Sequence, residues 1–360
     1  MTAYKNQHYI PQFYLKNFAS DDLGKAINLY NLKSKKHIRN VPIRHQASRD
    51  YFYGKDLKIE NFLAKLETEI GSICRNICRH EKIAKSQKEM LRMFFASSYA
   101  RTDSQRLLLL QATDGIRDDI IKRGTNVPKI DPMDYLLKMI YRIHHVLADI
   151  DICLIKNATT VDFVVTDAIA SRYNFYLERR KKEFMGYRAS FSAIGLVLCI
   201  PITPRLLLLG FDSEAYYLLG NVIKNRADAH AINEIQYLNS YTNIYYKSET
   251  SEKNIDKYDD QLASQKPSQR VITSSFKEDK KTETGIFYKP VNEEDSMSSE
   301  PIVYVSSQAN TDANIGFELL NEKSAVWNPQ VNRLATRPHV QKLENIPRSS
   351  LRADPSIIWE

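Results

Sequence analysis

Glycine is scarce in this chain, with 11 residues in 360. Phosphate-cradling loops of the Walker or dinucleotide type need several glycines at fixed spacing, and no such run is present, so nucleotide binding of that kind is excluded. Cysteine is scarcer still. Cys74, Cys78, Cys153 and Cys199 lie too far apart for a disulfide framework. Cys74 and Cys78 share a helix but have no second Cys or His pair at zinc-finger spacing, so two buried thiols are expected. No apolar run reaches the roughly 18 to 20 residues of a membrane helix. The most apolar stretch, GLVLCIPITPRLLLLGF, is interrupted by Pro201, Pro204 and Arg205. The N-terminus lacks the charged, apolar and cleavage regions of a signal peptide. Together these absences predict a soluble protein of the reducing cytoplasm with no membrane partner.

Other motifs are missing as well. No HExxH pattern occurs, and His144 and His145 are adjacent, so they cannot share a helix face. GFDSEAYYLLG lacks the glycine spacing of a nucleophile elbow. No repeat of fixed period is found.

What is present is a core-forming body and a different C-terminal segment. Hydrophobic residues make up 43% and aromatics 10%, enough for a large core, and 360 residues predict one large domain plus a second unit or tail. Charge divides the chain near residue 250. Beyond it stand 14 Lys plus Arg against 17 Asp plus Glu, a net of −3; with +8 overall, residues 1–250 carry +11. Seven of the 13 prolines also fall beyond residue 250. The expected organisation is a globular domain over 1–250, a disordered linker over 251–285 and a tail over 286–360. Short apolar beads punctuate that tail, namely GIFYKPV, EPIVYVSS, IGFELLNEKSAVW and PSIIWE. Each is too small to bury a core alone, so they read either as segments docking on a protein partner or as irregular tail.

Periodicity predicts helices in the middle of the body. Ile59, Phe62, Leu66, Ile70, Ile73 and Ile77 recur at three and four. Ser86-Gln87-Lys88-Glu89 reads as a capping box opening a helix toward Gly124, with a break near Gly115. Asp131-Pro132-Met133-Asp134 starts a third helix, and Asp228 to Tyr241 a last one. Strands are expected at AINLYNL, around HIRNVPIRHQ, at DYFYG, over 150–156 and 161–167, and as the pair GLVLCIPI and LLLLGF. The predicted class is α+β, a central helical layer flanked by small antiparallel sheets, with a largely irregular C-terminal tail.

The opening HYIPQFYL, residues 8–15, holds the first candidate site. Pro11 suits the first position of a helix whose apolar face is Phe13, Tyr14, Leu15 and Phe18. His8 then precedes the helix, where the positive dipole end favours a neutral imidazole able to serve as base, ligand or hydrogen-bond donor, and Gln12 follows about one turn later. Arg101, seven residues from both Phe94 and Leu108, points inward and needs a carboxylate partner. Asp167 closes an apolar strand and is the natural candidate. His8, Gln12, Arg101 and Asp167 therefore form a candidate constellation of base or ligand, orienter, anion clamp and carboxylate. A buried Arg101–Asp167 pair that merely holds two layers together is the alternative. A divalent metal is compatible with this set. Glu67 and Glu69 could join Asp167 in binding a magnesium ion, but they face different sides of their helix, so solvated side chains are the expectation.

Two basic runs are interleaved with tyrosines. Lys35, Lys36 and Arg39 form one; Arg179, Arg180 and Lys181, followed by Lys182, form the other. Phosphate contacts and base stacking use these residue types, though solvated loops do as well. With +11 in the body, nucleic acid is the leading macromolecular partner.

The opening run resembles the signature of a widespread, mostly bacterial domain-of-unknown-function family that begins with His-Tyr-hydrophobic-Pro-Gln-Phe-Tyr-Leu. The likeness continues at Tyr99-Ala100-Arg101-Thr102, similar to the family's helical arginine, and at Val165-Thr166-Asp167, similar to its strand ending in Ser-Asp. It ends near Ala231-Ile232-Asn233, at the family's last helix. It spans about the first 250 residues and departs at Ala168-Ile169, where the family often has Asn-Pro. The resemblance implies a shared fold and a shared cluster without implying a reaction. Two functions follow as expectations. One is an enzyme acting on a phosphate-containing substrate, RNA or DNA foremost, in a toxin or defence setting. The other is a non-catalytic nucleic-acid or protein binding module whose tail recruits a partner.

Overall fold

Strands β8 (Val197–Thr203) and β9 (Leu206–Phe211) are apolar at nearly every position because both faces of their sheet are covered. Leu198, Ile200, Ile202, Leu206 and Leu208 enter one apolar cluster; Val197, Cys199, Leu207, Leu209 and Phe211 enter a second. The alternation is the two-residue period of a pleated strand, so the sheet divides the core in two. The computed structural model describes residues 5–122, 132–184, 186–267, 271–282, 285–291, 302–311, 313–324 and 326–344. Its class is α+β, with helices packed on small antiparallel sheets.

The dividing sheet has five strands in the order β11 (Val222–Ile223), β5 (Asp151–Asn157), β9, β8, β7 (Ser171–Tyr173). All its pairs are antiparallel except β11 with β5. Helices α2 (Lys58–His80), α3 (Lys88–Ala100) and α5 (Leu136–Val146) cover one face through Leu66, Ile70, Leu91, Phe94, Phe95, Leu136 and Ile140. Helix α7 (Arg226–Asn239), capped by the Asn225 side chain on Ala227 N–H, covers the other through Ala229, Ile232 and Ile235. Short α6 (Phe175–Glu178) joins the same cluster. A four-stranded antiparallel sheet stands beside them in the order β3 (Lys36–Pro42), β2 (Ala26–Asn31), β12 (Asn243–Tyr246), β6 (Val165–Thr166).

Several boundaries differ from expectation. The first helix, α1 (Gln12–Lys16), starts one residue after Pro11, which serves as its N-cap, while His8 ends strand β1 (Asn6–His8). DYFYG contributes only the end of β4 (Ser48–Asp50), the partner of β1; residues 51–53 turn. The helix expected to break near Gly115 breaks instead at Arg101 and Thr102. There α3 ends and α4 (Asp103–Lys122) begins, with Thr102 Oγ1 accepting from Gln105 N–H at 3.3 Å. Thr102-Asp103-Ser104-Gln105 has the Thr-x-x-Gln form of a capping box, so the signal lay in the sequence. No side-chain bond caps the start of α3, and Ser86 lies in the 3-10 turn Lys85–Gln87 before it, which the Gln87 side chain closes by accepting from Ala84 N–H. Val161, Phe163 and Val164 are buried but only Val165 and Thr166 pair as strand. Pro132–Tyr135 form a single 3-10 turn before α5; Asp131 and Gly124 lie outside the described residues.

The larger correction concerns the segment beyond 250. Residues 251–262, expected in a disordered linker, belong to helix α8 (Glu249–Leu262), which buries Ile255, Tyr258 and Leu262. Its polar composition hid an apolar stripe at spacings of three and four. Strands β13 (Val271–Thr282), β14 (Gly285–Pro290) and β15 (Ile302–Gln308) then form an antiparallel sheet in the order β14, β13, β15. The bead IGFELLNEKSAVW docks within its own chain. Ile315, Phe317, Leu319, Leu320 and Trp327 enter the second cluster, and β16 (Leu320–Glu322) pairs antiparallel with β10 (Tyr216–Leu218). Arg337, fully buried just before α9 (Pro338–Glu344), seals the path with bonds to Asp149 and to the carbonyls of Val146 and Phe191. PSIIWE lies outside the described residues. Among the described residues no helix is long and apolar enough to cross a membrane.

Candidate functional site

The N-terminus is tied down before it reaches His8. Gln7 is fully buried; its side-chain oxygen accepts from Tyr53 N–H at 2.6 Å and its amide donates to the Gly54 carbonyl at 3.1 Å. With β1 paired to β4, His8 opposes Ser48 and its backbone is fixed. Its ring is half-buried, with Nε2 3.2 Å from the Arg44 carbonyl and 3.3 Å from Gln12 Nε2. With the proton on Nε2 the ring donates to Arg44; with the proton on Nδ1, Nε2 accepts from Gln12. Burial holds the imidazole below its ordinary pKa, against the opposing pull of the Arg44 carbonyl and Glu67.

Arg101 joins this cluster from the end of α3 and is 3% exposed. Its Nη2 donates to the His8 carbonyl at 2.8 Å and lies 2.6 Å from Glu67 Oε1, while Nε donates to Tyr53 Oη at 3.2 Å. Burial alone would lower the pKa of the guanidinium, but Tyr53 and Glu67 outweigh it, so the net direction is upward. Burial pushes the Tyr53 hydroxyl up to about 12. Glu60 lies two helical turns before Glu67 on α2. Burial raises its carboxyl, with Arg101 pulling the other way. Groups from β1, α1, α2, the 51–54 turn and the α3–α4 junction therefore meet around one buried guanidinium. Beneath them Pro11, Phe13, Glu67, Ser98 and Arg101 line a slot of about 10 Å³, the scale of one water. Ser98 Oγ is buried there without a hydrogen-bond partner.

Asp167 stands apart from this group. It is 5% exposed and accepts from the backbone N–H of Tyr241 at 2.8 Å and Thr242 at 2.6 Å, joining the end of β6 to the turn between α7 and β12. The carboxylate that Arg101 needs is thus Glu67, expected to be solvated, and not Asp167. Ile169, where the resembled pattern has proline, sits at φ 50°, a left-handed conformation that proline cannot adopt. The turn after Asp167 is therefore built differently from that pattern.

A second, larger cleft of about 80 Å³ opens on the other side of the α3–α4 junction, lined by Tyr99, Thr102, Ala168, Arg172, Tyr187 and Asn239 among others. Arg172 is held between Tyr99 and Phe191, its guanidinium carbon 4.3 Å from each ring centre, and Nη2 donates to Tyr99 Oη at 2.8 Å. Among the described residues no group of three His, Cys, Asp or Glu side chains is placed to hold a metal ion.

Both basic runs meet carboxylates from beyond residue 248. Lys35 pairs with Asp259, His37 Nε2 is 3.0 Å from Asp256, and Arg39 reaches Glu249 at 2.9 Å and Glu252 at 2.8 Å, all on α8. Lys36 is exposed. Arg179 and Arg180 share Glu322 of β16, each at 3.0 Å, and Lys181 is exposed.

A sequence profile described as "Protein of unknown function (DUF4238)" matches residues 6–250. The chain belongs to that family. No curated protein and no solved structure matches it. The family segment contains His8, Gln12, Arg101, Asp167 and both basic runs, and it ends at the first turn of α8. Sequence reasoning missed Glu60 and Tyr53 as members of the His8 cluster and placed Glu67 beside Asp167 or in solvent instead of beside Arg101. A signal for Glu67 existed, because it lies four residues after Leu63 and three before Ile70, on the flank of the buried stripe. Tyr53 carried none, since only the tertiary turn aims it at Arg101.

Proposed function

We propose that the protein is a cytoplasmic enzyme acting on a phosphate-containing substrate, nucleic acid foremost, with its chemistry at the His8 cluster. The observation that carries this is the meeting of the His8 backbone, Glu67 and Tyr53 around the buried Arg101 guanidinium, with Gln12 against the His8 ring. His8 is pushed toward the neutral form and Glu60 toward the protonated form. In this scheme the neutral imidazole of His8 takes a proton from an attacking hydroxyl or water, and Gln12 orients the ring. Glu60 supplies a proton to the leaving oxygen. Arg101 is a positioning residue whose charge disfavours protonated His8 and holds Glu67 in place.

The test pairs activity with folding. His8→Ala and Glu60→Gln are compared with the unaltered protein for degradation of labelled single- and double-stranded RNA and DNA, with and without magnesium or manganese, alongside thermal unfolding. Cleavage by the unaltered protein and its loss in folded His8→Ala supports the proposal; cleavage surviving in both variants overturns it. A non-catalytic binding module for nucleic acid or protein is the second reading, favoured by the surface position of both basic runs and the pairing of Lys35, Arg39 and Arg179 with Asp259, Glu252 and Glu322, which lie outside the family match. Binding that persists in His8→Ala, with no cleavage in any sample, selects it.

A further inference from the structure

The two basic runs are not balanced alike. Around β3, Lys35, His37 and Arg39 meet four carboxylates, Asp259, Asp256, Glu249 and Glu252, and α8 is fixed over them by buried Ile255, Tyr258 and Leu262. Every paired cation there has its own carboxylate, and Arg39 holds the Glu252 carboxyl below its usual range. That face works as a structural seam. After α6, Arg179 and Arg180 share the single carboxylate of Glu322, with Lys181 and Lys182 exposed beside them.

The geometry at this second run is that of an occupied anion site. One carboxylate, Glu322, sits between two guanidiniums, each donating from Nη1 at 3.0 Å. Arg180 is already fixed by a second Nη1 bond to the Tyr176 carbonyl at 2.8 Å and by stacking 3.6 Å over the Tyr176 ring. Glu322 arrives on β16, a strand outside the family match, while both arginines lie inside it. Arg179 is about half exposed and Lys181 and Lys182 are exposed, so the site opens to solvent beside surplus positive charge.

We infer that Arg179 and Arg180 form a docking site for the phosphate backbone of a nucleic-acid strand, and that Glu322 occupies it in cis as an internal competitor. The inference rests on the nucleic-acid part of the proposed function and leaves its chemistry aside. Strand β16 stays paired with β10, and only the Glu322 side chain yields its two donors to an incoming phosphate. Lys181 and Lys182 hold the neighbouring phosphates. Competition of this kind raises the concentration at which the strand binds and steepens the dependence on salt once the competitor is removed, because each phosphate contact releases counterions.

The experiment reads binding without turnover, by fluorescence anisotropy of end-labelled 20-nucleotide RNA and single-stranded DNA at 50 mM salt on the full chain. Glu322→Gln, which keeps an acceptor for the arginines, is expected to bind about tenfold more tightly, with a steeper salt slope by about one contact. Adding Arg179→Gln and Arg180→Gln should cancel the gain. Glu249→Gln with Asp256→Asn, at the β3 seam, should give none. In the otherwise unaltered chain, Arg179→Gln with Arg180→Gln should weaken binding at least threefold, which keeps the test open if Glu322→Gln fails to fold. Unchanged affinity in folded Glu322→Gln overturns the inference, as does a gain that survives loss of both arginines or one matched at the seam. A dead cleavage assay leaves these results standing, so the two proposals fail separately.

Discussion

Glu67 on α2 and Arg101 at the end of α3 meet at 2.6 Å, with Arg101 all but inaccessible and the Glu67 side chain 30% exposed. The pair joins the N-terminal HYIPQFYL run to the central helices, because the same guanidinium nitrogen also holds the His8 carbonyl. Removing one partner strands the other. Arg101→Met should destabilise the protein by about 3–5 kcal/mol, since Glu67, Tyr53 and the His8 carbonyl lose their common donor. Glu67→Gln keeps an acceptor and should cost only about 1–2 kcal/mol. Urea unfolding of both variants checks this; equal midpoints for Arg101→Met and the unaltered protein would remove the pair from the stabilising set.

His8 predicts a pH dependence of stability. Its folded-state pKa is depressed by burial, so the folded state binds the proton less readily than the unfolded chain. The associated stability is complete above about pH 6.5, the unfolded value, and is lost as pH falls through the depressed folded value. His8→Gln should flatten that decline. Unfolding midpoints at pH 5, 6 and 7 for both proteins read the difference directly, and parallel curves would contradict it.

Glu60 behaves with the opposite sign. Its carboxyl is raised by burial, so ionisation opposes folding as pH climbs from the unfolded value of 4.5 through the raised folded value. Glu60→Gln should therefore raise the melting temperature at pH 7 by about one to a few degrees and change nothing at about pH 3.5. If the same variant loses cleavage, stability and activity trade against each other at this position, as they do at functional carboxylates.

Arg337 fastens the last described segment to the body. Fully buried, it donates to Asp149 from Nε at 2.9 Å and from Nη2 at 3.1 Å, and its Nη1 donates to the Phe191 carbonyl at 2.6 Å. Arg337→Met leaves Asp149 and at least two carbonyls without their donor and should cost about 3–5 kcal/mol. Limited proteolysis should then cut first within residues 313–337, while residues 6–250 persist. Uniform digestion would show that the segment does not come away as a unit.

The helices α2 and α7, the hairpin β8–β9 and the packed helix after Pro11 were legible in the amino-acid sequence, because each is written in local terms: apolar spacing of three and four, continuous apolar strands, a proline beside aromatics. The break at Thr102 was legible too, in Thr102-Asp103-Ser104-Gln105, but the long apolar run of Leu107 to Leu110 masks it in a window-based reading. Other features had no local signature. Glu67 and Asp167 are both acids beside apolar positions, and nothing in their neighbours separates the partner of Arg101 from the acid that holds Tyr241 and Thr242. Helix α8 shows only Ile255, Tyr258 and Leu262 among polar residues, a stripe too thin to outweigh composition until the second cluster supplies the surface it buries.

The sequence by itself therefore determined which residues carry charge, which faces are apolar and where the family segment lies. Only the tertiary structure decided which carboxylate answers each cation. Local periodicity sets the face a side chain occupies, but an ion pair such as Arg39 with Glu252 or Arg180 with Glu322 spans well over a hundred residues, and its partner is chosen by how the sheets and helices pack. That choice turned a +11 body from an open basic surface into one whose two basic runs are met, unequally, by the acids of its own C-terminal segment.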